Sequence, residues 1–547
     1  MTAGGGRRET RPESVTANHG TAEGLTGRDF WRRRVSETPE REFLRFEGRS
    51  WTFGQFDLEL RRLAGGLAAL GVGRGTRVIA GMTNRPETVA VQLALQELGA
   101  VCVPLLPGLT FNELEFPINH SESTVLVADG PVAAEVLPRL AECAAIARIV
   151  LTGEVEPPPG VHVERLEELA ASAPLEHEPL EGHDDRSLTM VLYTSGSTGR
   201  PKGVMLGAGS FASVGAAFSE CFGITAEDNY FLPMPLAHAV GALTALGIST
   251  HTGCPVTLVD RFTPTSFWAQ VADNGATTGV LFPAHLNLLL ETDDGTPAAG
   301  ETSLRLVITH AFLRRFRRRF GVELATVWGM TETGAICAGS EPGYEGEFGE
   351  NYVGRAMRGA EIGIFDEDFR RLPPGGPGEI CLRHRHVLLG YLKAPEDTVR
   401  TLVDGWVRSG DRGVIDENGR VFFVGRFKNM IKRSGENISA EEVELALAEH
   451  PDVSECAVFG VPDRIRTEEV AAVVVARHGA SIDAARLRAA CQDTLVRWKL
   501  PRYVVLQEAP LPRLANGKID RPALVESFDV AAAWDAAGGS GDVTTDR

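Results

Sequence analysis

Short apolar runs alternate with helical stretches along most of this chain, and few folds accept that rhythm. RVIAGM, AVCVPLL, TVLVAD, ARIVLT, LTMVLYT, PVTLVD, TGVLFP and LRLVIT have the length and composition of buried strands, whereas FDLELRRLAGGLAALG and ETVAVQLALQELG carry helical periodicity. Strands that are apolar on both faces need cover on both sides, so the pattern predicts an α/β fold of mainly parallel sheets sandwiched by helices. At 547 residues the chain also exceeds what one core can serve, since single cores stop growing near ~250–300 residues.

The rhythm breaks after Val424, at the polar, glycine-bearing GRFKNMIKRSGENIS. Beyond it AEEVELALAEH and LRAACQDTLVRW read as helices, and ECAVFGVP, VAAVVVAR and YVVLQEA as strands, which makes a small α+β unit of ordinary domain size. The expected layout is a large N-terminal domain over 26–427 and a small C-terminal domain over 428–530. The polar, glycine-rich ends, 1–25 and 531–547, are expected to be disordered. In LRRFRRRF, Leu313, Phe316 and Phe320 recur at helical spacing, so the arginines are expected on a solvated helix face without a chemical role.

With 55 Lys+Arg against 73 Asp+Glu, the formal charge of -18 argues against a nucleic-acid binder. An anionic substrate then requires locally concentrated positive groups. The eight cysteines form no C-x-x-C pair or zinc spacing and read as small buried hydrophobes in a reducing compartment. No apolar run approaches the ~20 residues of a membrane helix, and the arginine-bearing start lacks an apolar segment behind it. A cytoplasmic location is the expectation.

Several short stretches carry chemistry. In YTSGSTGRPKG, the small residues Thr194, Ser195, Gly196, Ser197, Thr198 and Gly199 let backbone N–H groups and hydroxyls wrap phosphate oxygens, and Lys202 adds a point charge. The string is not a Walker A loop, because Gly203 follows the lysine. In VWGMTETG, Trp328 offers a flat ring to a purine, and Thr331 and Glu332 offer hard oxygen ligands to Mg²⁺. Asn516-Gly517 forms a tight turn able to present Lys518. Taken singly, Asp411 in SGDRG and Arg426 in GRFKN read as surface ion-pair members, and His238 in PLAHAVGA as a satisfied histidine beside an apolar helix.

Taken in order, TSGSTGRPKG, PLAHAVGA, VWGMTETG, SGDRG, GRFKNMIKRSGENISAEEVE and PRLANGKIDR resemble the motifs of the adenylate-forming superfamily of acyl-CoA synthetases, peptide-synthetase adenylation domains and luciferases. The likeness runs from Phe30 to Leu524. It implies a carboxylate–CoA ligase: Mg²⁺·ATP and an acid give acyl-AMP and pyrophosphate, and the thiol of CoA then displaces AMP. By the same resemblance the small domain rotates about a hinge at Lys428. Residue by residue, Thr194 to Gly199 with Lys202 cradle the phosphates, and Trp328, replacing a more usual tyrosine, lies with Gly329 and Thr331 at the adenylate. Glu332 ligates the metal, Asp411 accepts the ribose hydroxyls, and Arg426 makes a second ribose or phosphate contact. Lys518 neutralises charge between carboxylate and α-phosphate, and Ser434 and Gly435 border the pantetheine channel after rotation. His238 stands between acyl pocket and thiol tunnel. Ala239, Val240, Gly241, Ala242 and Met330 would wall the pocket, and their small size suggests room for a bulky apolar acid.

The sequence departs from that family in places. After LRLVIT the usual Gly-Gly-Ala-Pro-like loop is shortened, so Thr309-His310-Ala311 runs almost directly into FLRRFRRRFG. Either neighbouring backbone closes the gap, or the short loop weakens adenylation and leaves an enzyme better at thioesterifying supplied acyl-AMP, since a ~1 Å misplacement can cost ~100-fold in rate. Ser409 stands for a frequent threonine, Asn429 for an aspartate, and Thr467 for a glycine. No carrier domain fits after Lys518, so the thiol is expected from free CoA, with an acyl carrier protein as the alternative donor. A non-catalytic nucleotide-binding regulator is opposed by the joint presence of Lys202, Glu332 and Lys518.

Overall fold

The computed structural model describes residues 24–194, 201–292, 295–310, 312–344, 346–349, 351–433, 436–477, 479–514 and 517–538. Among them, sheets of fourteen and eight strands make a large N-terminal α/β domain, and a six-strand sheet anchors a small C-terminal one. Each apolar run singled out above forms a strand. The eight-strand sheet is parallel through Val101–Pro104, Arg77–Gly81, Val125–Ala128 and Arg148–Leu151. Its Leu188–Thr194 strand turns back antiparallel into Lys202–Gly207, with Thr194 opposite Lys202.

The larger sheet has a parallel centre. Glu323–Trp328, Leu306–Thr309, Thr278–Val280, Tyr230–Leu232 and Val256–Leu258 are successive neighbours. Both sheets are covered by helices such as Phe53–Ala69, started by a Thr52 capping box, and Pro86–Glu97. Beyond Glu323–Trp328 the sheet becomes antiparallel through Ala338–Gly339, Tyr352–Ala356, Val421–Arg426, Trp406–Ile415, Gly378–Arg383 and Glu361–Phe365. The helix–strand rhythm did not reveal this section. Its strands are joined by hairpins and read only as further apolar runs. Gly354 is fixed within it by crowding: at φ +102°, a Cβ would lie 1.9 Å from the Gly339 carbonyl carbon.

The arginine-rich segment forms the helix Arg314–Phe320, with Phe316 and Phe320 fully buried. All eight cysteines are free, and all but the half-buried Cys221 are buried. No helix among the described residues is long and apolar enough to cross a membrane.

In the small domain, Val453–Asp463 and Thr467–Ala476 form a long hairpin flanked by Met430–Arg433 and Tyr503–Gln507. Two expectations change here. The helix read through Trp498 ends at Ala490 and tightens into a 3₁₀ turn over Cys491–Asp493, where Asp493 and Thr494 have low helix propensity. The tail expected to be disordered from 531 instead adds the edge strand Trp534–Asp535 beside Tyr503 and Val504, held by an Arg502–Asp535 ion pair at 3.1 Å. The remaining end segments, 1–23 and 539–547, lie outside the described residues.

The chain crosses between domains through a 3₁₀ turn, Phe427–Asn429, that contains Lys428. Gly425 (φ +149°) precedes it, and a Cβ there would lie 2.3 Å from Ser439 Oγ of the small domain. A second tie is the 2.7 Å ion pair between Arg477 and Glu291, the last residue of the Pro283–Glu291 helix.

Candidate functional site

Four neighbouring parallel strands end at one edge of the large sheet, and the chain just past each end carries polar or aromatic groups. His238 follows Tyr230–Leu232, Phe282 and His285 follow Thr278–Val280, His310 follows Leu306–Thr309, and Trp328 to Glu332 end and follow Glu323–Trp328. A crevice beyond the carboxyl ends of parallel strands is where open α/β sheets bind ligands.

On one side of it, the buried Trp328 indole Nε1 donates to an Asp411 carboxylate oxygen at 2.8 Å, while Arg426 Nε lies 3.2 Å from the other. Asp411 and Arg426 are register partners in adjacent antiparallel strands. The aspartate is thus held between a hydrogen bond from Trp328 and an ion pair with Arg426. A tyrosine at 328 would present a hydroxyl in place of the ring N–H, so this chain's tryptophan does a positioning job as well as offering a face. Ser409, the stand-in for threonine, accepts from the Asp411 N–H at 3.0 Å.

Glu332 sits in a 3₁₀ turn, Thr331–Thr333, and is buried. The Tyr391 hydroxyl donates to its Oε1 at 2.8 Å. The same Tyr391 ring lies 5.1 Å under Lys202 Nζ, which pairs with Asp397 at 3.0 Å. Lys202 and Glu332, far apart in sequence, are therefore bridged by one tyrosine. The turn is braced by His384, whose Nε2 donates to the Thr333 carbonyl at 2.7 Å while its Nδ1 accepts from the His386 N–H at 2.9 Å. Burial pushes His384 down to about 4, so the neutral tautomer is fixed. No cation pairs with Glu332 among the described residues, and Tyr391 occupies one carboxylate oxygen only. A hard divalent ion fits such a half-satisfied carboxylate. Sequence reading missed Tyr391, Asp397 and His384, whose surroundings carry no motif of their own.

On the other side, Phe282 is ringed by imidazoles. Its ring centroid lies 5.8 Å from His238, 5.8 Å from His285 and 5.2 Å from His310. Burial depresses all three to about 4, aided by the Lys518 ammonium at His238 and His310 and by Arg513 at His285. His310 is an exposed residue, in contact with the Phe282 ring. Met330 is half-buried nearby in sequence, on the turn that carries Glu332. The small residues after His238 are packed rather than open: Ala239 and Ala242 belong to the main core, and a Cβ on Gly241 would lie 2.3 Å from the Pro235 carbonyl oxygen.

Lys518 belongs to a turn closed by Leu514 and Gly517, with Gly517 at φ +80°. Its ammonium lies near enough to His238 and His310 to lower both, on the strand-end side of the large domain. The shortened loop is backed by aromatic packing: Phe312 is buried against Tyr344, 4.9 Å away, and Tyr344 stacks on Phe348 at 5.9 Å. Residues Ser195 to Gly199, Ala311, Ser434 and Gly435 lie outside the described residues, as does the Lys428 side chain.

The model of the AMP-binding enzyme family matches residues 31–392, and that of the AMP-binding enzyme C-terminal domain matches 442–518. The chain belongs to the AMP-binding enzyme family. A crotonobetaine/carnitine–CoA ligase of Salmonella paratyphi A is 31% identical over 484 residues, 86% of this chain and 92% of that one. An o-succinylbenzoate CoA synthetase from Bacillus subtilis, solved with its acyl-adenylate intermediate, has a TM-score of 0.78 at 26% identity, covering 92% of this chain and 98% of its own. An anthranilate CoA ligase in complex with anthranoyl-AMP shares the fold, with a TM-score of 0.85 at 23% identity over 92% and 96% of the two chains. Within its family the chain is an acyl-CoA ligase, an acid–thiol ligase of the AMP-forming kind.

Proposed function

We propose that this ligase joins a bulky, largely apolar carboxylic acid to CoA in two steps on one site: Mg²⁺·ATP and the acid give acyl-AMP and pyrophosphate, then the CoA thiol takes the acyl group and releases AMP. The observation that carries the reading is the convergence of Lys518 with His238 and His310 at the crevice that also holds Trp328, Glu332 and Asp411.

Each assignment has a physical basis. The carboxylate oxygen attacks the α-phosphate, and the Lys518 ammonium offsets the negative charge shared between them. Lys202 and the Thr194–Gly199 stretch hold the phosphates, and Asp411, held by Trp328 and Arg426, accepts the ribose hydroxyls. Magnesium, held by Glu332 and phosphate oxygens, would screen the anionic charge that the attacking carboxylate meets. Rotation about Lys428 then withdraws Lys518 and brings Ser434 and Gly435 to the pantetheine channel. His238, neutral and half-buried, stands where acyl group and thiol would meet. Free CoA is the thiol donor in this reading, as in the CoA ligases that the chain resembles. Phe282, Met330 and Val240 supply apolar wall to the acyl pocket.

The experiment is acid-dependent pyrophosphate release from ATP across a panel of carboxylic acids, scored together with CoA-thioester formation. Acid-dependent release with stoichiometric thioester supports the reading. Thioester from supplied acyl-AMP without release would instead favour the weakened-adenylation alternative, and neither product would overturn the assignment.

A further inference from the structure

The ring of imidazoles about Phe282 has a defined chemical sense. His238 Nδ1 accepts from the Val240 N–H at 3.3 Å, and His285 Nδ1 accepts from the Phe282 N–H at 3.2 Å. A neutral imidazole that accepts at Nδ1 carries its proton on Nε2. Neither Nε2 has a hydrogen-bond partner among the described residues, and neither is sealed from solvent. The chain after the Tyr230–Leu232 strand and the helix start at Phe282–His285 thus offer ring N–H donors set in an aromatic wall. His310 adds a third ring on the same phenylalanine. The charged groups that act on these rings are all cationic, namely Lys518, Arg513 and Arg426.

We propose that His285 and His310 determine acid specificity, selecting a bulky, mostly apolar acyl group that carries a neutral or anionic hydrogen-bond acceptor, such as a ring ketone or ether oxygen, and rejecting one that carries a fixed cation. The inference rests on the ligase reading above and sharpens its substrate class. Donors already placed in the wall pair with an acceptor, whereas a hydrocarbon of the same shape covers them and leaves them unpaired, which is where a pocket discriminates most strongly. A quaternary ammonium could gain contact with the ring faces, but it would also meet the Lys518, Arg513 and Arg426 cations with no carboxylate among the groups acting on the rings.

The test uses acyl-sulfamoyl adenosines, which mimic the acyl-adenylate without needing turnover. They are built on acetylbenzoic acids and on the planar isopropenylbenzoic acids of matching shape, at ortho, meta and para positions. Dissociation constants are measured by calorimetry on the wild-type enzyme and on H285F, H310F and the double variant, with H285Q and H310Q as variants that keep an N–H donor. For at least one ring position the acetyl compound is expected to bind about tenfold tighter or better. That preference should fall toward one in the double Phe variant and persist in the Gln variants, with isopropenyl binding unchanged within about threefold. A trimethylammonium acid conjugate should bind more weakly than its tert-butyl isostere. Tight binding without discrimination at any position, retention of the preference in the double Phe variant, or preference for the cation overturns this inference and leaves the ligase reading standing. Absence of binding by every conjugate removes both.

Discussion

Tyr391 and Glu332 are joined by a 2.8 Å hydrogen bond in which the phenol donates to the carboxylate, and the Lys202 ammonium lies 5.1 Å above the same ring. Burial, together with the Glu332 carboxylate, holds this hydroxyl above the ordinary phenol range, so it remains a donor at any assay pH. Removing it in Tyr391→Phe leaves a buried carboxylate without its aligning partner. The expected result is about a tenfold loss in ATP–pyrophosphate exchange, with thioester formation from supplied acyl-AMP within about threefold of wild type. Equal losses in the two assays would place Tyr391 in the fold rather than at the phosphates.

The histidines make stability depend on pH with a definite sign. His238, His285, His310 and His384 all sit at about 4 in the folded chain, below the ~6.5 of an unfolded histidine. The unfolded chain therefore binds more protons between those values, and the stabilisation by neutral rings is complete above about pH 6.5 and lost as pH falls toward 4. The urea midpoint is expected to hold steady above neutrality and to decline between about pH 6.5 and 5, before carboxylates contribute. Replacing His285 by Phe should lower that slope by about one proton. An unchanged slope would contradict the burial assigned to this ring.

Gly241 tests whether the small residues after His238 open the acyl pocket or close the backbone. Its missing side chain faces the Pro235 carbonyl oxygen at 2.3 Å, so Gly241→Ala is expected to destabilise the fold by about 1–3 kcal/mol through overpacking. It should also slow every acid by a similar factor. A selective loss of large acids at unchanged stability would return Gly241 to the pocket wall.

Much of the fold was legible because buried strands and covering helices differ in period, as in LRLVIT against the Phe53–Ala69 helix. The hairpin section from Tyr352 to Arg426 was not, since it lacks that contrast. Motif reading named Trp328, Asp411 and Arg426, and these three do meet, through one hydrogen bond and one ion pair to Asp411. It left out His285 and His310, whose importance comes from three adjacent strand ends opening onto one phenylalanine, a register that no local string encodes. Small residues alone leave Gly241 open to two roles, because a missing side chain serves close backbone approach as readily as a cavity.

Thr467 carries a departure visible at both levels. By the resemblance a glycine is expected there, and Thr467 adopts φ +73° at the turn of the long C-terminal hairpin. A β-branched residue is strained there, so Thr467→Gly should stabilise the chain by about 1 kcal/mol despite the added freedom of the unfolded state. Chemical denaturation of the full chain measures it, and a loss of stability would contradict the strain.

The account depends most on Lys518 meeting the strand-end crevice for the first half-reaction and leaving it for the second. The direct measurement is Lys518→Ala assayed twice, by acid-dependent ATP–pyrophosphate exchange and by CoA-thioester formation from supplied acyl-AMP. The prediction is a loss of exchange by about 100-fold or more, with thioester formation retained within about threefold. Parallel loss of both activities, or exchange that survives the substitution, would contradict it.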